Sequence, residues 1–252
     1  MCLILFAYHQ HPKFKLIVGA NRDEFYDRPT THAHFWEDHP QILAGRDLLK
    51  MGTWMGITKT GRFAALTNYR DPGELTAGKQ SRGNLVADFL KGETVAENYL
   101  AEVAKKRDLF AGFNLLTGSK DELYFYSNIE NKVKKLDPGI YGLSNNFLNT
   151  DWPKVNRGKA GLTRIINESD NKIGAELMQL LQNSERAPDK ELPSTGVPLE
   201  WEQLLSPLFI ESETYGTRSS AVMLLSDNEI IMTEQIYSQG KTKDQEFRIK
   251  LN

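Results

Sequence analysis

The sequence predicts an α+β fold in which two mainly antiparallel β-sheets stack between layers of helices. Runs of strand-forming residues follow one another through short turns, which favours antiparallel pairing. The strand-like runs 16–18 and 221–225 are apolar at every position, so we expect their sheets to be covered on both faces. Strands and helices do not alternate regularly, and neither a G-x-G-x-x-G nor a P-loop motif occurs, which argues against an open Rossmann sheet. We expect one such domain over residues 1–252.

Hairpins dominate the first part of the chain. The apolar runs 2–8 and 15–21 are separated by a polar loop, which is the pattern of two paired strands. The runs 53–58 and 62–69 flank a tight turn in which Gly61 can adopt a positive φ. Further strands are predicted at residues 113–118, 123–128, 141–146, 219–226, 230–237 and 246–251.

Helices are expected between these groups of strands. Ser81 is placed to cap a helix over 82–90, and the segment 94–97 is typical of a capping box before a second helix. Asp151 is expected to cap a third helix, and a fourth is predicted at 173–181. The segment 183–198, rich in Pro and Gly, is predicted to be a functional or flexible loop.

The composition excludes several classes of function. Lys and Arg number 31 against 33 Asp and Glu, and the pI is about 6.2, so no basic surface for nucleic acid is expected. A single cysteine excludes an internal disulfide and fits a reducing compartment. The apolar run 3–7 is too short to span a membrane and lacks the features of a signal peptide. We expect a cytoplasmic protein.

That cysteine, Cys2, is the principal candidate for chemistry. If the first hairpin turns between Pro12 and Lys13, Cys2 lies opposite Asp23, and a register shifted by one residue would bring Arg22 there instead. Removal of a methionine before a small residue would expose an α-amine with a pKa of about 7.7–8.0, able to act as base for the thiol. Arg22 would favour the thiolate.

A structural interpretation of the same residues is also open. Cysteine is often a small buried apolar residue, and an Arg-Asp pair at the end of a strand is often a solvated ion pair. Composition and spacing alone leave both interpretations open, and the structural one is the more common.

Several stretches resemble one known family. The segment 21–24 reads Asn-Arg-Asp-Glu after Met1-Cys2-Leu3-Ile4, and it resembles the NRDE family, also known for the transport and Golgi organisation protein 2 of animals. Matching stretches follow in the expected order: 65–70, 81–83, 142–145 and 215–220. The resemblance implies an N-terminal-nucleophile (Ntn) hydrolase fold, a four-layer αββα sandwich. The family is distantly similar to the penicillin V acylase and bile salt hydrolase group, whose nucleophile is also a cysteine.

The resemblance implies roles for individual residues. Cys2 would be the nucleophile of an amidohydrolase that cleaves a non-peptide C–N bond, and the other candidates are Arg22, Asp23, Asn68, Asn145 and Arg218. Asn68 would donate to the oxyanion. In the acylase group the arginine and aspartate are two residues apart, whereas here they are adjacent, so Glu24 is an alternative to Asp23. Asn146 is likewise an alternative to Asn145.

A binding function is the alternative. Members of the family are implicated in haem trafficking and lipid-related metabolism, so haem or a lipid-like ligand is a possible cargo. All five histidines precede residue 40, yet no third ligand completes a metal site around His9-x-His11 or His32-x-His34, and we expect no metal or resident cofactor. Four tryptophans are candidates for an apolar pocket, although they are more often core residues: Trp36, Trp54, Trp152 and Trp201.

Overall fold

The structure, a computed structural model, describes residues 2–169, 172–238 and 241–251. Its strands are β1 (Cys2–Tyr8), β2 (Phe14–Phe25), β3 (Thr30–Phe35), β4 (Ile42–Asp47), β5 (Met55–Thr58), β6 (Phe63–Asn68), β7 (Phe113–Gly118), β8 (Leu123–Ser127), β9 (Lys132–Lys135), β10 (Gly139–Leu143), β11 (Tyr215–Ser226), β12 (Glu229–Ser238) and β13 (Lys241–Lys250). Its helices are α1 (Gly83–Lys91), α2 (Ala96–Lys105), α3 (Pro153–Glu168), α4 (Ile173–Leu181) and α5 (Leu199–Leu204).

The strands form two antiparallel sheets, as predicted. The six-stranded sheet has the order β10-β1-β2-β11-β12-β13, and the seven-stranded sheet runs from β3 to β9 in chain order. Each strand of the second sheet pairs with the next one along the chain, and the connections are short loops except between β6 and β7, where α1 and α2 intervene. The first sheet needs long-range pairing, since β11 joins β2.

Three buried clusters define four layers. One lies between the two sheets and contains Ile4, Val18, Leu43 and Phe125 among others. A second joins the six-stranded sheet to α3 and α4, and a third joins the seven-stranded sheet to α1 and α2. The αββα arrangement is therefore confirmed. It explains the apolar runs, since each sheet is covered on one face by the other sheet and on the other face by helices.

The three predicted side-chain caps are wrong. The residues at the cap positions of α1, α2 and α3 are Arg82, Val95 and Trp152, and no side-chain cap hydrogen bond forms at any of the three. Ser81 offers its backbone oxygen to Asn84 instead of its hydroxyl. Pro153 opens α3, where its missing N–H removes one of the donors that a cap would satisfy.

The other predicted elements are present. The hairpin around Gly61 forms with φ of 82° at that glycine, and α4 spans the predicted residues 173–181. The predicted loop 183–198 contains a short 3-10 turn at Asp189–Glu191. No helix within the described ranges combines the length and apolar character needed to cross a bilayer.

Candidate active site

A pocket of about 390 Å³ opens where β1 begins and β2 ends. Both sheets contribute to it. Its wall includes all the sequence-predicted site residues except Asn145, namely Cys2, Arg22, Asp23, Asn68 and Arg218, together with Glu24. The antiparallel register explains this convergence, because the start of β1 must lie beside the end of β2.

Cys2 lies directly opposite Arg22, and Leu3 lies opposite Asn21. The pairing of Cys2 with Asp23 was therefore wrong by one residue. The hairpin loop explains the slip: His9 has φ of 50°, and its N–H donates to the oxygen of Lys15 at 2.8 Å, which centres the turn on Pro12. The predicted neighbourhood of Cys2 is nevertheless the observed one.

Alternation along the strands separates Arg22 from Asp23. Even-numbered residues of β2, such as Val18 and Ala20, face the core between the sheets, whereas Ile17 faces the helix layer. Cys2 and Arg22 follow the even-numbered pattern and face the pocket side of the sheet. Asp23 follows the odd-numbered pattern, so its carboxylate lies on the side covered by helices.

Asp23 is held in a buried hydrogen-bond network. It is 1% exposed, and its Oδ1 accepts a hydrogen bond from the hydroxyl of Thr217 at 2.8 Å. The same hydroxyl accepts from the N–H of Ile210 at 2.9 Å, which fixes its direction. Burial raises the pKa of the Asp23 carboxyl, while Lys154 and Thr217 oppose that rise.

Glu24, the alternative to Asp23, is on the pocket side with Arg22. Its Oε2 lies 4.0 Å from Nη2 of Arg22, and its Oε1 accepts from the N–H of Phe25 at 3.0 Å. Glu24 is therefore a charge partner for Arg22 on the Cys2 face, whereas Asp23 acts from the opposite face.

The two asparagines are linked to each other. Nδ2 of Asn145 donates to the backbone oxygen of Asn68 at 2.9 Å, and Asn145 is fully buried. The side chain of Asn68 lines the pocket and makes no hydrogen bond to another described residue. Asn146 instead accepts from the N–H of Phe147 and the hydroxyl of Thr150. Asn145 therefore supports Asn68 rather than lining the pocket.

A bulge in β11 directs Arg218 to the pocket. Thr217 pairs with Asp23 and Ser219 with Arg22, so Arg218 is the extra residue between them. Its Nη1 donates to the oxygens of Phe25 and Arg28 at 3.0 and 2.8 Å. Burial and the positive charge of Arg22 lower the pKa of Arg218, and both arginines line the pocket with Cys2.

The pocket wall carries more cations than anions. Its cationic residues are Arg22, Arg28, Arg46, Lys50, Lys79, Arg82 and Arg218, and its carboxylates are Glu24, Asp47 and Glu234. Arg28 is paired with Asp47 at 2.6 Å, and Arg46 with Asp38 at 2.7 Å. The excess of positive charge that remains in the pocket wall favours a ligand with a negatively charged group.

The thiol of Cys2 is not a preformed thiolate. Burial raises its pKa above the ordinary range of a cysteine, and the charge of Asp23 acts in the same direction. Arg22 lowers the pKa of this thiol, as predicted, but does not overcome burial. A nucleophilic role for Cys2 therefore requires a base that removes the proton during the reaction.

A buried group of charges behind the sheet was missed by sequence reasoning. Lys154, on the first turn of α3, is 2% exposed, and Arg70 forms an ion pair with Glu202 at 2.8 Å. The charges of Asp23, Arg70 and Glu202 all act on the pKa of Lys154. Arg70 belongs to the family-like stretch 65–70 and could have been considered, whereas nothing in the sequence around Lys154 distinguishes it from a surface lysine.

One histidine and one tryptophan line the pocket, His32 and Trp54. His9 is not in the pocket wall, and its Nε2 lies 2.8 Å from the backbone oxygen of Lys120. No group of three or more metal-ligating side chains occurs among the residues that the structure describes. Trp54 lines the pocket, and Trp36 is buried in the helix-covered core.

Sequence comparisons agree with this architecture. The chain is 32% identical to the bovine Transport and Golgi organization protein 2 homolog, over 99% of this chain and 100% of the relative. It is 31% identical to the Drosophila melanogaster Transport and Golgi organization protein 2, over 93% and 92%. The family described as Transport and Golgi organisation 2 matches residues 1–239. The chain belongs to this family.

Solved structures relate this Transport and Golgi organisation 2 family member to Ntn hydrolases in fold. The mutant C2A of conjugated bile acid hydrolase from Clostridium perfringens superimposes with a TM-score of 0.52 at 10% identity, over 98% of this chain and 92% of that one. An N-acylethanolamine-hydrolyzing acid amidase ortholog from Caenorhabditis elegans gives 0.50 at 13% identity, over 88% and 92%. At these identities the likeness establishes the fold, and the family member's chemistry must be argued from its own residues.

Proposed function

We propose that the protein is an Ntn-type amidohydrolase that cleaves a non-peptide C–N bond through Cys2. The observation that carries the proposal is the position of the sole cysteine beside Arg22 in the wall of a pocket that Asn68 also lines. The fold shared with two amide hydrolases supports the same reaction class. The proposal requires removal of Met1, which lies outside the described residues.

In the proposed reaction, the free α-amine of Cys2 takes the thiol proton and Sγ attacks the amide carbon. The tetrahedral intermediate collapses, the C–N bond breaks, and the α-ammonium gives its proton to the departing amine. Water then attacks the thioester with the α-amine again as base, and a carboxylic acid leaves. The raised pKa of the thiol supports this order, because the proton must be removed at the time of attack.

Neighbouring groups have separate roles in this scheme. The side-chain amide of Asn68 is the candidate donor to the oxyanion, a contribution of about 2.7–4 kcal/mol in enzymes of this kind. Asn145 supports Asn68 through its backbone oxygen. Arg22 and Arg218 face the substrate, and Asp23 orients the α-amine from the opposite side of the strand. The excess of cations favours an amide substrate with an anionic end.

The experiment combines intact mass with active-site labelling. We expect a mass lacking methionine and a thioester adduct when the wild-type protein is mixed with N-acyl amides that bear a carboxylate or a sulfonate. Cys2→Ser and Asn68→Ala should lose amine release, while Arg46→Gln, whose charge is already paired with Asp38, should retain it. Retention of Met1, or amine release that persists in Cys2→Ala, would contradict the proposal.

A second function, binding of haem or a lipid-like ligand without catalysis, is favoured by the rim of the pocket. Six of the eleven large apolar side chains that are exposed in the described ranges lie in segments that also line the pocket: Phe25, Tyr26, Leu48, Leu49, Met51 and Leu75. Such a rim suits an amphiphile whose polar end enters the charged pocket. Haem has the same character, and His32 is the histidine in the pocket wall.

The two functions predict different effects of removing Cys2. For a binding protein, Cys2→Ala should retain the affinity for a fluorescent fatty acid, and paired Leu48→Ser and Leu49→Ser should weaken it. For haem, a Soret shift should depend on His32 and survive replacement of His39, which does not line the pocket. Equal Soret shifts in the wild type and in His32→Ala would exclude haem ligation by this residue.

A further inference from the structure

Glu234 is a buried carboxylate in the wall of the pocket that the proposed reaction does not use. It lies on β12, where Ile230 and Met232 face the core between the two sheets. Glu234 continues this face, is 6% exposed and lines the pocket. Burying an ionised carboxylate is costly unless a cation or hydrogen-bond donors compensate it. The contacts of Glu234 therefore indicate what its charge can bind.

The carboxylate is held in one orientation by two donors on the same oxygen. Oε2 accepts from the N–H of Ala33 at 2.7 Å and from Nε2 of Gln245 at 2.8 Å. The same Nε2 also donates to the oxygen of Ala33 at 2.9 Å, so the group joins β12 and β13 to β3 of the other sheet. Oε1 accepts no hydrogen bond from a described residue, and it is not among the shielded polar atoms that lack a partner. Oε1 is therefore the oxygen that the pocket can reach.

The charge of Glu234 is not neutralised as the other carboxylates on the pocket side are. Glu24 lies 4.0 Å from a nitrogen of Arg22, and Asp47 lies 2.6 Å from a nitrogen of Arg28. No lysine, arginine or histidine within the described ranges forms an ion pair with Glu234. Its two donors are neutral amides, which leave the negative charge in place.

Three cationic or titratable neighbours do not supply the counter-charge. His32 lines the pocket, but burial lowers its pKa, and the charge of Glu234 does not overcome that effect, so this histidine is neutral near pH 7. Arg218 donates instead to two backbone oxygens at 3.0 and 2.8 Å. Lys243, on the neighbouring β13, is exposed and makes no ion pair with Glu234 in the part of the chain that is described.

Glu234 lies at the end of the pocket remote from Cys2. Across the six-stranded sheet, Cys2 pairs with Arg22 and Arg22 with Ser219, and all three line the pocket. Ser219 pairs in turn with Ile236, two residues from Glu234 on β12. Three strand spacings and two residues along a strand separate the Cα atoms of Cys2 and Glu234 by about 16 Å. A ligand that contacts both residues must be elongated.

We propose that Glu234 is a specificity-determining residue that binds a primary ammonium group at the end of the ligand remote from Cys2. The placement of the ligand's amide at Cys2 rests on the proposed hydrolase function, whereas the ammonium subsite does not depend on a reaction. An ammonium group has three N–H donors and a positive charge, so it donates to Oε1 and compensates the buried carboxylate. The anionic group favoured by the arginines lies beside Arg22, which makes the ligand an elongated zwitterionic amide.

Binding of three probes to the Cys2→Ala variant tests the subsite without a reaction. The probes are amides of glycine whose linear acyl chains have equal length, long enough to span about 16 Å, and end in an ammonium, a hydroxyl or a methyl group. In titration calorimetry the ammonium probe should bind about tenfold more tightly than the methyl probe, because it forms a charge-assisted hydrogen bond. The hydroxyl probe should have an intermediate affinity.

Variants of Glu234 in the same background make the result specific. Glu234→Gln keeps the shape of the side chain and should abolish the preference for the ammonium probe, whereas Glu234→Asp keeps the charge and should retain part of it. Glu229→Gln, on the same strand but outside the pocket and paired with Arg248 at 3.8 Å, is the matched control and should bind all three probes as its parent does. Thermal unfolding of each variant verifies that it is folded.

The outcomes separate this inference from the proposed function. Equal affinities for the ammonium and methyl probes, or a preference that survives Glu234→Gln, would overturn the subsite even if Cys2 proves catalytic. A hydroxyl probe that binds as tightly as the ammonium probe would overturn the ion pairing. A preference for the ammonium probe in a protein that releases no amine would instead support the subsite and overturn the hydrolase function.

Discussion

Asn145 and Asn68 are joined by a hydrogen bond of 2.9 Å from the Nδ2 of the first to the backbone oxygen of the second, across 77 positions of the chain. The bond links the segment after β10 to the end of β6, so it connects the two sheets at the pocket. The N–H of Arg70 also donates to the oxygen of Asn145 at 2.7 Å. Asn145 thus adds to the β6–β7 pairing that holds Asn68 in place.

Replacement of Asn145 by alanine should therefore destabilise the protein. The change removes the side-chain donor to the Asn68 oxygen and leaves the hydroxyl of Ser144 with the oxygen of Cys2 as its remaining partner. We expect the free energy of unfolding to fall by about 1–3 kcal/mol, measured in urea. Asn156→Ala, which removes an exposed bond to Asp151, is the control and should cost less than the buried change. Equal losses would show that Asn145 has no special supporting role.

The pH dependence of Cys2 alkylation reports the pKa of its thiol. Because burial raises this pKa, the rate with iodoacetamide should still rise near pH 9, where a free thiol has begun to level off. Arg22→Gln removes a cation that lowers the thiol pKa, so the rate at pH 7 should fall several-fold. Arg164→Gln, which replaces an exposed arginine of α3 outside the pocket, is the control and should leave the rate unchanged. A profile matching that of the urea-unfolded protein would refute the shift.

The sequence was sufficient for the local parts of the fold. Hairpins and amphipathic helices depend on residues close together in the chain, and their existence follows from periodicity. The register of the first hairpin was missed by one residue because it depends on the turn, where His9 takes a positive φ that its residue type does not dictate. The predictions of side-chain helix caps were wrong for a similar reason. At α1, the backbone oxygen of Ser81 accepts the hydrogen bond that its hydroxyl was expected to accept.

The candidate site was predictable only where a motif lay on a strand. Arg22 and Arg218 reach the pocket because neighbouring strands pair, so both could be inferred from motifs. Lys154 could not, because it approaches Asp23 only when α3 packs on the six-stranded sheet, a contact between residues far apart in sequence. Its burial also contradicts the usual exposure of lysine.

The ion pair of Arg28 and Asp47 should stabilise the rim of the pocket in a pH-dependent way. Burial opposes ionisation of Asp47, but the hydrogen bonds from Arg28 and from the N–H groups of Lys50 and Leu49 outweigh it and lower its pKa. A carboxyl whose folded-state pKa is depressed adds stability above its unfolded pKa and loses it as the pH falls through the folded value.

Asp47→Asn should therefore reduce the free energy of unfolding at pH 7 by about 1 kcal/mol, a value kept small because the pair is partly exposed. The loss should shrink towards pH 3, where the carboxyl of the wild type becomes protonated. Urea titrations at both pH values measure it, with Asp121→Asn as the exposed control. A loss of the same size at both pH values would mean that ionisation of Asp47 contributes nothing.

Gly52 controls how closely the rim approaches the first helix. A Cβ at this position would lie 2.5 Å from the carbonyl carbon of Gly83 and 2.9 Å from the nitrogen of Asn84, both backbone atoms that cannot rotate away. Gly52→Ala must therefore push the rim from the N-terminus of α1, at a cost of about 1–3 kcal/mol. Since both segments line the pocket, thermal unfolding and Cys2 alkylation should change together, with lower stability and a faster reaction. Gly73→Ala, where a Cβ would meet only Asp71 Oδ1 at 3.4 Å, should change neither, and unaltered stability in Gly52→Ala would show that this contact is not close in solution.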